Sequence, residues 1–148
     1  MWSVLQEGID FRAADSAAEL TRLTWRGAEH RWPKGISAET RTQIEDELKK
    51  FTLREGWAKD LLFAADRFAT ARRMGALVAP CRGRIADSFV AYCLGITEVD
   101  PLAFDLCAER CFGYGLLDYP QRHLRTTFPL ETQTSFRPEI ERWCHTYR

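Results

Sequence analysis

Arg82, Gly83 and Arg84 form a short stretch whose residue types could bind an anion. The apolar run 76–79 before it is typical of a buried strand, and a helix is predicted after it. A turn that enters a helix start offers free backbone N–H groups and the positive end of the helix dipole. Gly83 would let the backbone approach a phosphate, and the two arginines could clamp it. The alternative is a solvent-exposed turn without a ligand.

Two further arginines, Arg72 and Arg73, end the preceding predicted helix and could extend this turn into a local basic patch. Lysine plus arginine equals aspartate plus glutamate, 21 against 21. The chain therefore lacks the basic excess of a general polyanion binder, and any nucleic-acid contact would come from a local patch. Solvent-exposed arginines are the alternative. Trp2, Trp32 and Trp143 could stack on bases, although buried tryptophans are commoner.

Cys107 and Cys111 lie four residues apart on one face of a predicted helix, and further cysteine and histidine residues follow. His123, Cys144 and His145 bring these candidates to five, and four of the five could coordinate a tetrahedral zinc ion. The spacing matches no compact zinc motif, however, and thiols on an apolar helix face are usually part of the core. We therefore predict no metal site, and no third group is evident that would orient a Cys–His catalytic pair.

Capping residues and apolar periodicity predict a mainly helical α+β chain with one or two short strands. Gly113 and the prolines beyond it punctuate a less regular C-terminal part. The first predicted helix begins at Asp15 or Ser16 and breaks at 33–35, and the second runs from Ser37 to Gly56. The third spans 57–74, and the fourth runs from Asp87 or Ser88 to Gly95. The last two span 102–112 and 138–147.

The composition is that of a single soluble globular domain. The chain has 148 residues, of which 45% are apolar and 28% charged. No stretch approaches the roughly 20 apolar residues of a membrane span, so no membrane partner is expected. The first residues lack the basic flank and apolar run of a secretory signal. The five cysteines, an odd number, are expected to be reduced in a cytoplasmic protein.

The run 77–101, LVAPCRGRIADSFVAYCLGITEVDP, resembles the palm segment of bacterial C-family DNA polymerases, the alpha subunit of DNA polymerase III. The stretches 23–28 and 31–35, LTWRGA and RWPKG, look more like the error-prone alpha-type polymerases of the damage response. The similarity extends from about 18 to 112 without an obvious gap. It implies a palm of the polymerase-beta nucleotidyltransferase type and a parent activity of DNA-templated nucleotidyl transfer in replication and repair.

The resemblance also implies which residues meet the nucleotide. In this family a glycine- and serine-rich turn before a helix cradles the triphosphate, and Arg82, Gly83 and Ser88 occupy matching positions. Arg84 stands where the family has a small serine. Asp87 stands where a neutral residue is usual, and its charge opposes triphosphate binding by Coulomb repulsion. The family places DNA on the side of the chain that carries the two arginines ending the third predicted helix.

The family's metal-binding aspartates have no evident counterpart here. After Phe112 the family continues into strands whose aspartates hold two metal ions, whereas 113–120 contains Asp118 alone. The resemblance is therefore to a truncated and degenerate palm without predicted catalytic residues. Mg²⁺ and a nucleoside triphosphate are expected as cofactor and substrate only if the parent activity survives.

Two functions follow as hypotheses. In the first, the segment 16–112 is a catalytically inactive palm segment that binds nucleotide or primer–template DNA. The segments 1–15 and 113–148 would then be an irregular N-terminal stretch and a divergent tail. In the second, the chain is a protein-interaction module without nucleotide chemistry, which self-associates or binds a polymerase subunit because apolar palm surface has lost its former neighbours.

Overall fold

The computed structural model describes residues 15–53, 56–78, 80 and 83–106, and this part of the chain is mainly helical, as predicted. None of the helices in these ranges is both long and apolar enough to cross a membrane. The elements are α1 (Ser16–Arg31), α2 (Ala38–Thr52), α3 (Trp57–Arg73), a 3-10 helix (Gly83–Asp87) and α4 (Phe89–Cys93).

Three of these helices begin at side-chain caps that the sequence predicts. In each case a side-chain oxygen accepts a hydrogen bond from the backbone N–H three residues further on, and the caps are Asp15, Ser37 and Ser88. Each cap satisfies an N–H group that has no partner within the helix. Gly75, which follows the end of α3, has the left-handed conformation common after a helix, with φ of 80°.

The core lies where α1 and α2 pack against α3 and α4. Gly27 allows α1 to approach α4 closely, because a Cβ at this position would overlap the carbonyl oxygen of Cys93 in α4. Phe51 of α2 contacts Trp57 of α3, with ring centroids 6.3 Å apart. The largest fully buried apolar side chains are those of Leu20, Ile44, Phe51, Trp57, Leu61, Leu62, Phe89, Val90 and Leu94.

The strand predicted over 76–79 is not formed by its described residues, 76–78. Only Val78 takes part in an isolated β-bridge. The backbone N–H of Ala76 donates to the carbonyl of Ala71, which closes the end of α3, and Leu77 is 72% exposed. Apolar residue types suggested a buried strand, but in this part of the chain no neighbouring strand covers the run.

The helix predicted over 102–112 is wrong for its described residues, because 102–105 form turns and 106 is irregular; 107–112 lie outside the described residues. The N–H of Leu102 donates to the Asp100 carboxylate at 2.9 Å, as a helix cap would require. Asp105, however, has φ of 49°, and the N–H of Leu106 bonds back to the carbonyl of Pro101. A left-handed residue ends the turn before α-helical hydrogen bonding can propagate.

Candidate functional site

The 3-10 helix Gly83–Asp87 carries two residues of the predicted phosphate-binding turn and leads directly into α4. Gly83 and Arg84 are its first two residues, whereas Arg82 lies outside the described part of the chain. The backbone N–H of Ser88 donates to the carbonyl of Ile85 at 3.1 Å, so the end of the 3-10 helix is hydrogen-bonded to the start of α4. The phosphate-binding role of these residues stays a prediction.

The start of α4 is occupied by the carboxylate of Glu47, which comes from α2. Its Oε1 accepts the N–H of Phe89 at 3.0 Å, and its Oε2 accepts the N–H of Val90 at 3.1 Å. The Ser88 hydroxyl donates to the same Oε2 at 2.6 Å and accepts the N–H of Ala91. Glu47 and Ser88 are both buried. A buried carboxyl group of the protein itself therefore accepts the first N–H groups of α4.

This arrangement determines which donors are left for an external ligand. The first N–H groups of α4 are bonded to Glu47 and Ser88, and the N–H of Tyr92 donates to the Ser88 carbonyl. Ser88, predicted to lie with the phosphate, has its hydroxyl directed to Glu47. A phosphate at this turn would therefore meet the preceding 3-10 segment rather than the start of α4.

Glu47 was not predicted from the sequence, although a signal was present. It lies three residues after Ile44 and four before Phe51, on the same buried stripe of α2. Acidic residues are rarely fully buried without a partner. A glutamate at a core position of a helix therefore indicates a buried group that needs hydrogen-bond donors from another element.

Burial raises the pKa of two side chains in this region, Glu47 and Cys93. It raises the pKa of Glu47 to about 7, against the lowering effects of the three hydrogen bonds it accepts and of the Lys50 charge. Burial, and secondarily the Glu47 charge, raises the pKa of the Cys93 thiol. The Glu47 carboxyl thus titrates close to neutral pH, while Cys93 stays a protonated core thiol.

Arg72, predicted to contact DNA, makes contacts within the protein. Its Nη1 donates to the carbonyl of Gly95 at 2.6 Å, and its Nη2 lies 3.2 Å from Oε1 of Glu98. The guanidinium lies 5.8 Å from the ring centroid of Phe68. Burial lowers the pKa of Arg72, and the Glu98 charge opposes that effect. Arg72 therefore holds the loop that follows α4 and contains Gly95 and Glu98.

Arg73, the second predicted DNA contact, is more accessible. Its side chain is 45% exposed, compared with 25% for Arg72. Its Nη2 donates to the Thr70 hydroxyl at 2.7 Å and lies 3.8 Å from the Asp66 carboxylate. The two adjacent arginines thus have different surroundings, and DNA contact stays a prediction for both.

Arg31 and Glu98 connect α1 to the same loop. Nη1 of Arg31 donates to Glu98 at 2.8 Å, its Nε donates to the carbonyl of Tyr92, and its guanidinium lies 4.2 Å from the centre of the Tyr92 ring. The backbone N–H of Glu98 donates to the carbonyl of Pro80 at 2.7 Å, and the Thr97 hydroxyl donates to the same oxygen. The loop is thereby tied to a residue shortly before the 3-10 helix.

Trp32, considered above as a base-stacking residue, is half-buried and held on several sides. Its ring centroid lies 5.3 Å from that of Tyr92 and 6.3 Å from that of Phe89, and its Nε1 donates to Asp100 at 3.3 Å. It also lines an open cleft of about 450 Å³ with Trp25 and other residues. These contacts give Trp32 a packing role. Trp2 and Trp143 lie outside the described residues.

The residues considered for zinc lie beyond 106, where nothing is described: Cys107, Cys111, His123, Cys144 and His145. Asp118 lies there as well. Between 15 and 106, apart from the gaps already given, no group of three or more His, Cys, Asp or Glu side chains could hold a metal ion.

Comparison with known proteins relates this site to one family. Residues 18–120 match the model of the bacterial DNA polymerase III alpha NTPase domain. Error-prone DNA polymerase of Pseudomonas paraeruginosa is 44% identical over 98 residues, which cover 65% of this chain and 9% of the relative. The protein of the same name from Methylococcus capsulatus is 42% identical over 95 residues, covering 63% and 9%. The chain thus spans less than a tenth of these relatives.

Proposed function

The chain belongs to the family of the bacterial DNA polymerase III alpha NTPase domain, and we propose that it binds a nucleoside triphosphate at Arg82, Gly83 and Arg84. The family match carries this proposal, because it runs across the turn and across the helices that position it. The relatives are named error-prone DNA polymerases, which supports nucleotide and DNA as the ligand classes.

Each residue of the turn has a distinct role in this proposal. The guanidinium groups of Arg82 and Arg84 bind phosphate oxygens bidentately, and the backbone of Gly83 approaches them without a side chain in the way. Ser88 contributes through its bond to Glu47 rather than by touching the phosphate. Arg73, the more exposed of its pair, contacts primer–template DNA, while Arg72 supports the neighbouring loop.

The proposed architecture is a partial palm of the polymerase-beta nucleotidyltransferase type over 16–112, preceded by a short segment and followed by a divergent tail over 113–148. We propose that the chain is catalytically inactive alone, because two-metal transfer requires convergent carboxylates and 113–120 supplies only Asp118. Mg²⁺ enters this proposal as the ion that accompanies the nucleotide. A cytoplasmic location fits the buried free thiol of Cys93.

A protein-interaction function is the second candidate, and exposed apolar side chains favour it. Leu53, Leu77 and Phe104 are 79%, 72% and 67% exposed. Covering such surface with a second copy or a polymerase subunit would remove apolar area from water. A mass that rises with protein concentration in sedimentation, unaffected by substitutions in the turn, would support this function.

Fluorescence anisotropy of a labelled nucleoside triphosphate with Mg²⁺ tests the first function. We expect saturable binding that Arg82→Ala weakens by about tenfold, the usual effect of losing a charge-assisted contact. Arg22→Ala is the matched control, since this arginine is 53% exposed and pairs with Glu19 on α1. Absence of binding at about 50 μM protein, or equal weakening by both substitutions, would contradict the proposal.

A further inference from the structure

We propose that Glu47 is a positioning residue of the nucleotide-binding turn. Its carboxylate holds the start of α4 against α2 and so sets the 3-10 helix that carries Gly83 and Arg84. This inference rests on the proposed function, because it assumes that the turn binds a triphosphate. It assigns a role to a residue of α2 that lies far from the turn in sequence.

The hydrogen bonds of Glu47 join two elements that are separated along the chain. Three donors converge on its two oxygens: the Ser88 hydroxyl at 2.6 Å, the Phe89 N–H at 3.0 Å and the Val90 N–H at 3.1 Å. Glu47 is 1% exposed and Ser88 is fully buried. Since water cannot replace these bonds in the core, the carboxylate fixes where α4 begins relative to α2.

The start of α4 is in turn connected to the 3-10 helix. The N–H of Ser88 donates to the backbone carbonyl of Ile85. Ile85 is a core residue that is only 5% exposed. On the other side, the carbonyl of Pro80 accepts bonds from Thr97 and Glu98. Hydrogen bonds therefore hold both Pro80 and Ser88, the residues at the two ends of this stretch. Glu47 accepts the bond at the end nearer to α4.

The same hydrogen bonds indicate that Glu47 and Ser88 position the turn and do not contact the phosphate themselves. The Ser88 hydroxyl donates to Glu47 and accepts from Ala91, and the N–H groups of Phe89 and Val90 are already bonded. Glu47→Gln keeps the shape but presents an amide N–H₂ to one of the donors, which removes at least one acceptor. The substitution therefore loosens the start of α4 without altering any group proposed to touch the phosphate.

The test measures the Kd of a labelled nucleoside triphosphate with Mg²⁺ for the full chain and four variants: Glu47→Gln, Ser88→Ala, the double variant and Glu45→Gln. Glu45 is exposed on α2 and provides the same charge change away from the turn. We expect Glu47→Gln and Ser88→Ala each to weaken binding about tenfold, and the double variant to be no more than about twofold weaker than either. Glu45→Gln is expected to stay within about twofold of the wild type.

The outcomes distinguish the inference from the proposed function. Circular dichroism at the assay temperature establishes that each variant is folded. A purely structural role of Glu47 would lower the Tm of the variant without changing the Kd of its folded molecules. Wild-type affinity in folded Glu47→Gln, or additive losses in the double variant, would overturn the positioning role while Arg82→Ala still reports on the function. If Glu47→Gln does not fold, unchanged affinity in Ser88→Ala overturns it. A wild-type chain that binds no nucleotide overturns both.

Discussion

Glu47 of α2 accepts a 2.6 Å hydrogen bond from the hydroxyl of Ser88, the residue that caps α4. The two residues are 41 positions apart in the chain and both are buried. Glu47 also accepts the backbone N–H groups of Phe89 and Val90, so groups of the protein itself bond the first N–H groups of α4. The contact also explains why a serine in a turn expected to bind phosphate is directed into the core.

Removing the Glu47 side chain is expected to destabilise the protein strongly. In Glu47→Ala the Ser88 hydroxyl and two backbone N–H groups lose their acceptor while buried, which should lower the free energy of unfolding by about 3 kcal/mol. Urea denaturation measures the change. Glu45→Ala on the exposed face of α2 is the control and should stay within about 0.5 kcal/mol of wild type. Similar values for the two variants would contradict this assignment.

The pH dependence of stability should carry a contribution from Glu47. Its pKa is about 7 in the folded protein and near 4.5 in the unfolded chain, so between these values the folded state binds more protons. Stability should therefore fall as the pH rises from about 4.5 to about 7, by up to roughly 3 kcal/mol from this group. Urea unfolding at about pH 5 and about pH 8 measures it, and Glu47→Gln should remove that part of the decrease. An unchanged pH dependence in Glu47→Gln would refute the prediction.

Gly27→Ala should separate α1 from α4. A Cβ at Gly27 would overlap the backbone of Cys93, which cannot move aside as a flexible side chain can. We expect the free energy of unfolding, measured by urea denaturation, to fall by about 3 kcal/mol, even though alanine is the better helix former. Gly35→Ala is an informative comparison because its added Cβ meets nothing within 4 Å, although its φ of 91° disfavours alanine. That variant should lose only about 1 kcal/mol.

Arg31 should contribute more to stability than an exposed arginine on the same helix. Its side chain is 11% exposed, and it bonds both Glu98 and the Tyr92 carbonyl. Arg31→Ala is expected to lower the free energy of unfolding by about 2 kcal/mol. Arg22→Ala, which breaks a pair with Glu19 at a 53% exposed arginine, should cost less than about 0.5 kcal/mol. Equal losses would show that the Arg31 contacts add no more than a surface pair.

Local residue chemistry predicted much of the fold correctly. Asp15, Ser37 and Ser88 begin helices because a side-chain oxygen accepts an N–H three residues away, which is a short-range property. The predictions over 76–79 and 102–112 were less successful. The first run lacks a partner strand in the described part of the chain, and Asp105 adopts a left-handed conformation that residue types do not reveal.

The sequence by itself determined where α1, α2, α3 and α4 begin to within a residue, the mainly helical class and the resemblance to the polymerase family, because each depends on residues close together in the chain or on their order. Only the tertiary structure decided that Glu47 meets Ser88 and that Arg72 faces Gly95 and Glu98. Such pairs form between residues that are distant in sequence and are selected by the packing of whole helices. Buried polar groups must find partners wherever that packing places them.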